Sequence, residues 1–214
     1  MVKNFLRRTP LLGPLRSLRR QMKSATLFAR RMTGGGLTMG KLARFDKLHL
    51  GCGPRHFEGW ANIDLEYGLL WDLTRPLPLD AATIRYVYSE HFIEHVPRAV
   101  AVQIFTNMKN ALREGGVVRI STPDLKQLAE AYLTGKVPDF SSVGWFPPTP
   151  CVMVNEAVRY WGHTFIYDEQ ELRLVLEQAG FRDIRRVRWR ESEYPELQNL
   201  ETRPSLDDLI LEAR

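Results

Sequence analysis

The chain has 214 residues, a 44% hydrophobic fraction and a formal net charge of +5. That length holds one well-buried domain with an appendage, and with no apolar run of about 18 residues no segment is expected to span a membrane by itself. Two cysteines, Cys52 and Cys151, make neither a disulfide framework nor a metal set, so a reducing, cytoplasmic setting is the expectation.

The charge is uneven. Residues 1–45 hold eleven Lys or Arg and no acid; the remaining 19 bases face all 25 acids, so residues 46–214 carry a net −6. The basic character belongs to an N-terminal arm, residues 1–40, and whole-chain charge gives no reason to expect nucleic-acid binding by the domain. Within the arm, Leu15, Leu18, Met22, Leu27 and Phe28 fall near helical spacing with arginines between them, and Gly34-Gly35-Gly36 closes the segment. Such a stretch suits peripheral contact with an anionic membrane surface, an organelle presequence, a nucleic-acid contact or a solvated tail.

From residue 46 strands alternate with helices. Lys47–Leu50 is a short apolar strand that breaks at Gly51-Cys52-Gly53, and a second strand, about Ala61 to Asp64, ends on an acid. A short extended piece reaches Asp72. Pro76 and Pro78 make residues 74–82 a loop. Ile84–Tyr88 is a β-branched and aromatic strand. A helix is predicted from Arg98 to Arg113, capped by Gly115-Gly116, then a strand over 117–121 and a helix from Leu125 to Leu133. Residues 135–162, with four prolines and several aromatics, read as a long irregular loop, and loops of that length in compact domains are usually functional or mobile. A helix over 168–178, a strand over 183–189 and a last strand over 206–212 complete a mostly parallel α/β sheet covered on both faces.

The chemistry-bearing residues lie after strand ends. Gly51 and Gly53 let a ligand approach the backbone. A dinucleotide fingerprint would need a third glycine where His56 stands, which counts against a nicotinamide or flavin cofactor. Asp64 is placed to accept from both hydroxyls of a ribose, and Asp72 from an exocyclic amine. Each acid by itself is equally a surface or capping carboxylate. Ser89-Glu90-His91 follows the fourth strand at the carboxyl edge. His91-x-x-Glu94-His95 matches a zinc-hydrolase pattern, with the histidines as ligands and Glu94 activating water. Against it stand Pro97, which interrupts a helix there, and the lack of a third ligand. His163, beside Tyr160 and Trp161, could orient or deprotonate a substrate, or be structural.

Taken in order, HLGCG (49–53), NIDLE (62–66), WDLTRPLPL (71–79), YSEHFIEHV (88–96), ALREGGVVRISTPD (111–124) and GHTFIYDEQELRLVLEQAGF (162–181) resemble a class I S-adenosylmethionine-dependent methyltransferase, type-11-like, over about residues 46–190. The resemblance implies a doubly wound, seven-stranded Rossmann-like sheet with helices on both faces and an antiparallel last strand. It implies S-adenosylmethionine as cofactor, held by Gly51, Cys52, Gly53, Asp64, Leu65, Asp72, Leu73, Ser89 and Glu90. No metal is implied. His91 and His163 are the candidate catalytic residues, and the acceptor is expected to be a small molecule or a saccharide or cell-envelope precursor. A cofactor-binding module without activity is the further alternative. One departure stands out: so few residues separate Gly53 from the second strand that the usual first helix must shrink to a turn or two.

Overall fold

The computed structural model describes residues 37–203 and 208–214, so most of the basic arm, and with it the membrane-surface reading, lies outside the described residues. Helix α1 (Met39–Leu42) leads into β1 (Lys47–Leu50), β2 (Ala61–Asp64), β3 (Leu69–Leu70) and β4 (Ile84–Glu90). Then follow α2 (Arg98–Ala111), β5 (Leu112–Thr122), α3 (Leu125–Thr134), α4 (Pro150–Arg159), α5 (Glu169–Gln178), β6 (Ile184–Arg186) and β7 (Leu209–Ala213). The seven strands form one sheet in the order β3-β2-β1-β4-β5-β7-β6. All pairings are parallel except those of β7, which runs antiparallel between β5 and β6. This is the Rossmann-like α/β architecture that the strand and helix rhythm predicts. The order reverses between β1 and β4, so a crevice opens at their carboxyl ends, where ligands bind in such sheets.

Alternation along the strands separates two faces. One face presents Leu48, Leu50, Ile63, Val87, Val118, Ile120, Leu209 and Leu211 to α2 and α5, whose Ile104, Phe105, Met108, Leu172, Val175 and Leu176 complete the main core. Each such side chain, fully buried, contributes roughly 1.5–3 kcal/mol over its exposed state. The other face carries Tyr86, Tyr88 and Val117 under Trp60, Leu197, Leu200, Phe57 and Tyr194. Helices thus surround the sheet unevenly. Where the first crossover helix would lie there are only turns between Leu50 and Ala61. Asn62 holds this short connection: its Oδ1 accepts from Phe57 N–H at 2.9 Å, and its Nδ2 donates to the Phe57 and Trp60 carbonyls at 2.9 and 3.0 Å.

Five expectations are corrected. Helix α2 stops at Ala111, two residues before Arg113, because β5 starts at Leu112 and pairs with Ile84 at once. Gly115 and Gly116 therefore lie inside an irregular start of β5, where the register against β4 shifts, and cap no helix. Residues 135–162 are not irregular throughout, since α4 fills 150–159. Thr149 accepts from Val152 N–H and Pro150 occupies the first turn, so proline here starts a helix whose missing N–H would have been unpaired anyway. Strand β6 is shorter than 183–189, and β7 begins at Leu209, just after residues 204–207, which lie outside the described ones. The helix starts expected at 125 and 168 hold, and each is capped by an acid. Asp124 accepts from Lys126 N–H and Asp168 from Glu171 N–H, satisfying donors that a helix cannot pair internally.

Candidate functional site

A cavity of about 710 Å³ opens at the carboxyl ends of β1, β2 and β4. Its walls include Gly51, Cys52, Gly53, Asp64, Leu65, Asp72, Leu73, Glu90 and His91, so nearly every sequence-predicted cofactor residue meets here. Ser89 does not line it; this side chain is buried and its hydroxyl makes no hydrogen bond among the described residues.

The glycine turn has two different jobs. Gly51 and Gly53 have φ of +63° and +51°, in the left-handed region that favours glycine. A Cβ on Gly51 would lie 2.6 Å from Phe92 Cβ, whereas one on Gly53 would have nothing within 4 Å. Gly51 is thus required by packing, and Gly53 faces open space that a ligand can fill. Gly51→Ala should therefore destabilise the fold by roughly 2 kcal/mol or more. Gly53→Ala should change stability less but weaken ligand binding, as read by denaturation and calorimetry in parallel. Equal effects of the two substitutions on both measurements would contradict the division.

Asp64 is oriented by the backbone. Its Oδ2 accepts from Gly53 N–H at 3.1 Å and its Oδ1 from Glu66 N–H at 2.7 Å, and each oxygen keeps lone-pair capacity for a ligand hydroxyl. The buried Asp72 accepts from Thr74 N–H and Oγ1 through Oδ1, at 3.0 and 2.7 Å. Burial, reinforced by Asp64, pushes the Cys52 thiol up to about 12, so Cys52 is an inert space-filler under the turn. Glu90 has a partner that the sequence did not suggest. Its carboxylate accepts from Thr202 N–H, Thr202 Oγ1 and Arg203 N–H at 2.9, 2.6 and 3.1 Å, which brings residues 202–203 into the cavity wall. His49 also lines the cavity. Burial lowers its pKa to about 4, and its neutral ring donates from Nδ1 to Asn62 Oδ1 at 3.1 Å.

Residues 91–95 do not form the helical turn that the zinc-hydrolase pattern requires. His91 has φ +51° and only Ile93–His95 form a 3-10 turn, so His91 and His95 do not share a helix face. Both His91 nitrogens are engaged: Nε2 lies 3.0 Å from Asp208 Oδ2 and Nδ1 lies 3.1 Å from Glu94 Oε1. Burial alone would lower the His91 pKa, but the hydrogen bonds and charges of Asp208 and Glu94 outweigh it and raise it to about 9. Burial alone would raise the Glu94 carboxyl; His91 holds it below the usual range instead. A doubly bonded imidazolium is a positioning group, poorly suited to take a proton at neutral pH.

The sign of the resulting pH dependence follows. A histidine raised from 6.5 to about 9 contributes stability that is complete below pH 6.5 and is lost as pH climbs through about 9. Chemical denaturation at pH 6 and pH 9 should show that decline, and Asp208→Asn should flatten it. An unaltered slope in that variant would remove His91 as its source.

His163 is set differently. Its Nδ1 lies 2.6 Å from the Ala157 carbonyl, which can only accept, so Nδ1 carries the proton and Nε2 keeps a lone pair. Burial lowers its pKa, so the ring is neutral near pH 7. It packs against His95 and Trp161 at ring-centroid distances of 4.8 and 5.6 Å. A second cavity of about 700 Å³ adjoins the first, lined largely by apolar residues such as Leu128, Val137, Phe140 and Trp145, with His163 on its wall. His91, His95, Trp161 and Arg203 line both cavities. Trp161, like His91, holds a positive φ (+59°) without being glycine, and such strain is concentrated at functional sites.

No family model and no curated protein matches the chain. Among solved structures, a SAM-dependent methyltransferase from Archaeoglobus fulgidus is similar at 14% identity and TM-score 0.47, over 91% of this chain and 93% of its own. A SAM-dependent methyltransferase from Thermotoga maritima is similar at 12% identity and TM-score 0.46, over 92% of this chain and 96% of its own. Human N-acetylserotonin methyltransferase in complex with SAM is 12% identical over 74% of this chain at TM-score 0.42, and the chain spans 34% of that protein. Likeness at this level carries no functional information; the residues of the site do.

Proposed function

We propose that the protein is an S-adenosylmethionine-dependent methyltransferase acting on a small molecule seated in the apolar cavity. The observation that carries this reading is the meeting of two cavities at one wall of His91, His95, Trp161 and Arg203. A nucleoside-sized cleft that carries Asp64, Asp72 and Glu90 on one side and a more apolar cleft on the other suit a group transferred across that wall. The acid-bearing side fits the cofactor on its own geometry: Gly53 leaves room for a close ligand, and Asp64 offers an oriented carboxylate for ribose hydroxyls. Asp72 and Leu73 line the same cavity at the end suited to a base. Bound there, S-adenosylmethionine supplies a methyl group already activated by its positive sulfur.

The chain then has to align the acceptor and exclude water, and needs no nucleophile of its own. Phe140, Trp145 and Trp161 hold the acceptor body; a saccharide would have to present its CH face to them. His163, with its tautomer fixed and Nε2 unbonded among the described residues, is the group available at the acceptor end. Glu90 and His91 act through others, Glu90 by holding residues 202–203 and His91 by holding Glu94. Calorimetry with S-adenosylhomocysteine tests the assignment. One site per chain is expected, together with transfer of labelled methyl to a small-molecule acceptor in a screen that includes aromatic alcohols and envelope glycans. Folded protein that takes up no S-adenosylhomocysteine sinks it. Uptake with no transfer to any acceptor would favour the non-catalytic module instead.

A further inference from the structure

Beside the wall shared by the two cavities, one donor atom each from Glu94, His95 and His163 lie within 4.8 Å of one another. We propose that these three residues bind a divalent transition-metal ion of the zinc class. This set differs from the pattern at 91–95, because His91 is committed to Asp208 and Glu94 and the third donor comes from His163, 68 residues after His95.

Four observations converge on the site. Glu94 is fully buried, and its Oε1 has only His91 Nδ1 beside it, which leaves one of its lone pairs without a partner among the described residues. That oxygen lies 3.1 Å from His91 Nδ1 on one side and 4.0 Å from His95 Nε2 on the other. A buried carboxylate oxygen is expensive unless it is bonded or coordinated, and the side facing His95 leaves room for a cation. Second, His163 donates its Nδ1–H to the Ala157 carbonyl, which is the outer bond that fixes a ligating histidine and aims Nε2. Third, the two contributing segments are tied together. Thr164 N–H, Phe165 N–H and Thr164 Oγ1 all reach the Glu94 carbonyl, at 2.8, 3.2 and 3.2 Å, so the donors sit on a shared backbone frame. Fourth, the other Glu94 oxygen, Oε2, accepts from Thr122 Oγ1 at 3.1 Å, which fixes the carboxylate and leaves the lone pair of Oε1 that faces His95 for the ion.

The donor set names the metal class. Two imidazoles and one carboxylate suit zinc, iron(II) or cobalt(II), whereas magnesium and calcium take oxygen ligands. Donors around a tetrahedral zinc, with bonds of ~2.0–2.1 Å, stand ~3.3 Å apart. The 4.0 Å between Glu94 Oε1 and His95 Nε2 closes to that by small side-chain rotations. Three protein ligands leave a further position open at the cavity junction. Resting on the methyltransferase reading, that position would take an acceptor oxygen and favour its deprotonated form, with the proton passing to solvent. His163 would then hold the ion, and the acceptor would need no separate base.

The test uses the full chain after chelator treatment, titrated calorimetrically with zinc chloride and, separately, with magnesium chloride. One zinc per chain is expected and no magnesium. Loss of an outer-shell partner typically weakens a metal site 10–100-fold, so His95→Ala and His163→Ala should each weaken zinc by roughly 100-fold or more. Both side chains are partly exposed, so the variants should keep the wild-type circular dichroism. Cobalt(II) should give the wild type the visible absorption of a low-coordinate site, and His163→Ala should lose it. Zinc uptake that neither substitution weakens, or none by the folded wild type, overturns the site. S-adenosylhomocysteine binding measured on the metal-free protein keeps the two readings apart. Zinc lost with nucleoside binding intact removes the metal alone; nucleoside binding lost with zinc intact removes the methyltransferase assignment alone.

Discussion

Arg119→Met should lower the stability of the folded chain by about 3–5 kcal/mol, the scale for breaking a buried ion pair on one side, against a total of roughly 5–15 kcal/mol for an ordinary domain. Arg119 stands in the middle of β5 and is fully buried. Its Nε donates to Glu201 Oε1 and its Nη1 to Glu212 Oε1, both at 2.6 Å. It also donates to the Glu191 and Arg188 carbonyls at 2.7 and 3.2 Å. One guanidinium thereby fastens residues 188–201 across the face of the sheet that lacks a regular helix layer. Removing it leaves two buried carboxylates facing each other without a cation. The damage should reach the site, because Thr202 and Arg203, which Glu90 holds in the cavity wall, follow directly on Glu201. Arg119→Lys should also be destabilising, since an ammonium cannot reproduce the fork. Replacing Arg119, Glu201 and Glu212 together by apolar residues of similar volume should restore most of the loss. Urea denaturation followed by circular dichroism reads all three. A change within about 0.5 kcal/mol for Arg119→Met, the size of an ordinary surface substitution, would show that the network carries little.

Asp64→Ala should weaken S-adenosylhomocysteine binding by roughly 100-fold or more while leaving the sheet folded. Hydrogen bonds to a charged group contribute about 1.5–3 kcal/mol each, and this carboxylate can accept from two ribose hydroxyls while its orientation is held by Gly53 and Glu66 N–H. Part of the loss would come from the turn itself, since Gly53 N–H loses its acceptor. Asp64→Asn separates the two contributions: it can keep one backbone bond but loses the charge, and an intermediate affinity is expected. Wild-type affinity in Asp64→Ala, measured calorimetrically on folded protein, would remove Asp64 from the cofactor site.

Local patterning made much of this molecule legible. The strand at Lys47–Leu50, the glycine break, the acid at the end of β2 and the helix starts near 125 and 168 are each governed by neighbours within a few residues. Backbone sterics, strand periodicity and cap hydrogen bonds act over that range, so sequence reveals them. The shortened connection after Gly53 was visible as a residue count, and Asn62 supplies its physical form by replacing helix hydrogen bonds with three of its own. Helix α4 was hidden because its prolines read as breakers, although Thr149-Pro150 is a helix start.

The long-range assignments were not legible. Nothing local to VVRIST marks Arg119 as a buried cation, because Glu201 and Glu212 lie 82 and 93 residues away. His91 looked like a base or a ligand in sequence; Asp208, 117 residues on, makes it a doubly bonded imidazolium. His163 reaches His95 only because backbone bonds bring residues 164–165 onto Glu94. Residue types and their spacing therefore determined the sheet, the glycine turn and the acids that line the cavity. The pairing of charges across distant segments was set by folding itself. Burial makes each unpaired charge costly, and it is the packed sheet that brings the partner within reach.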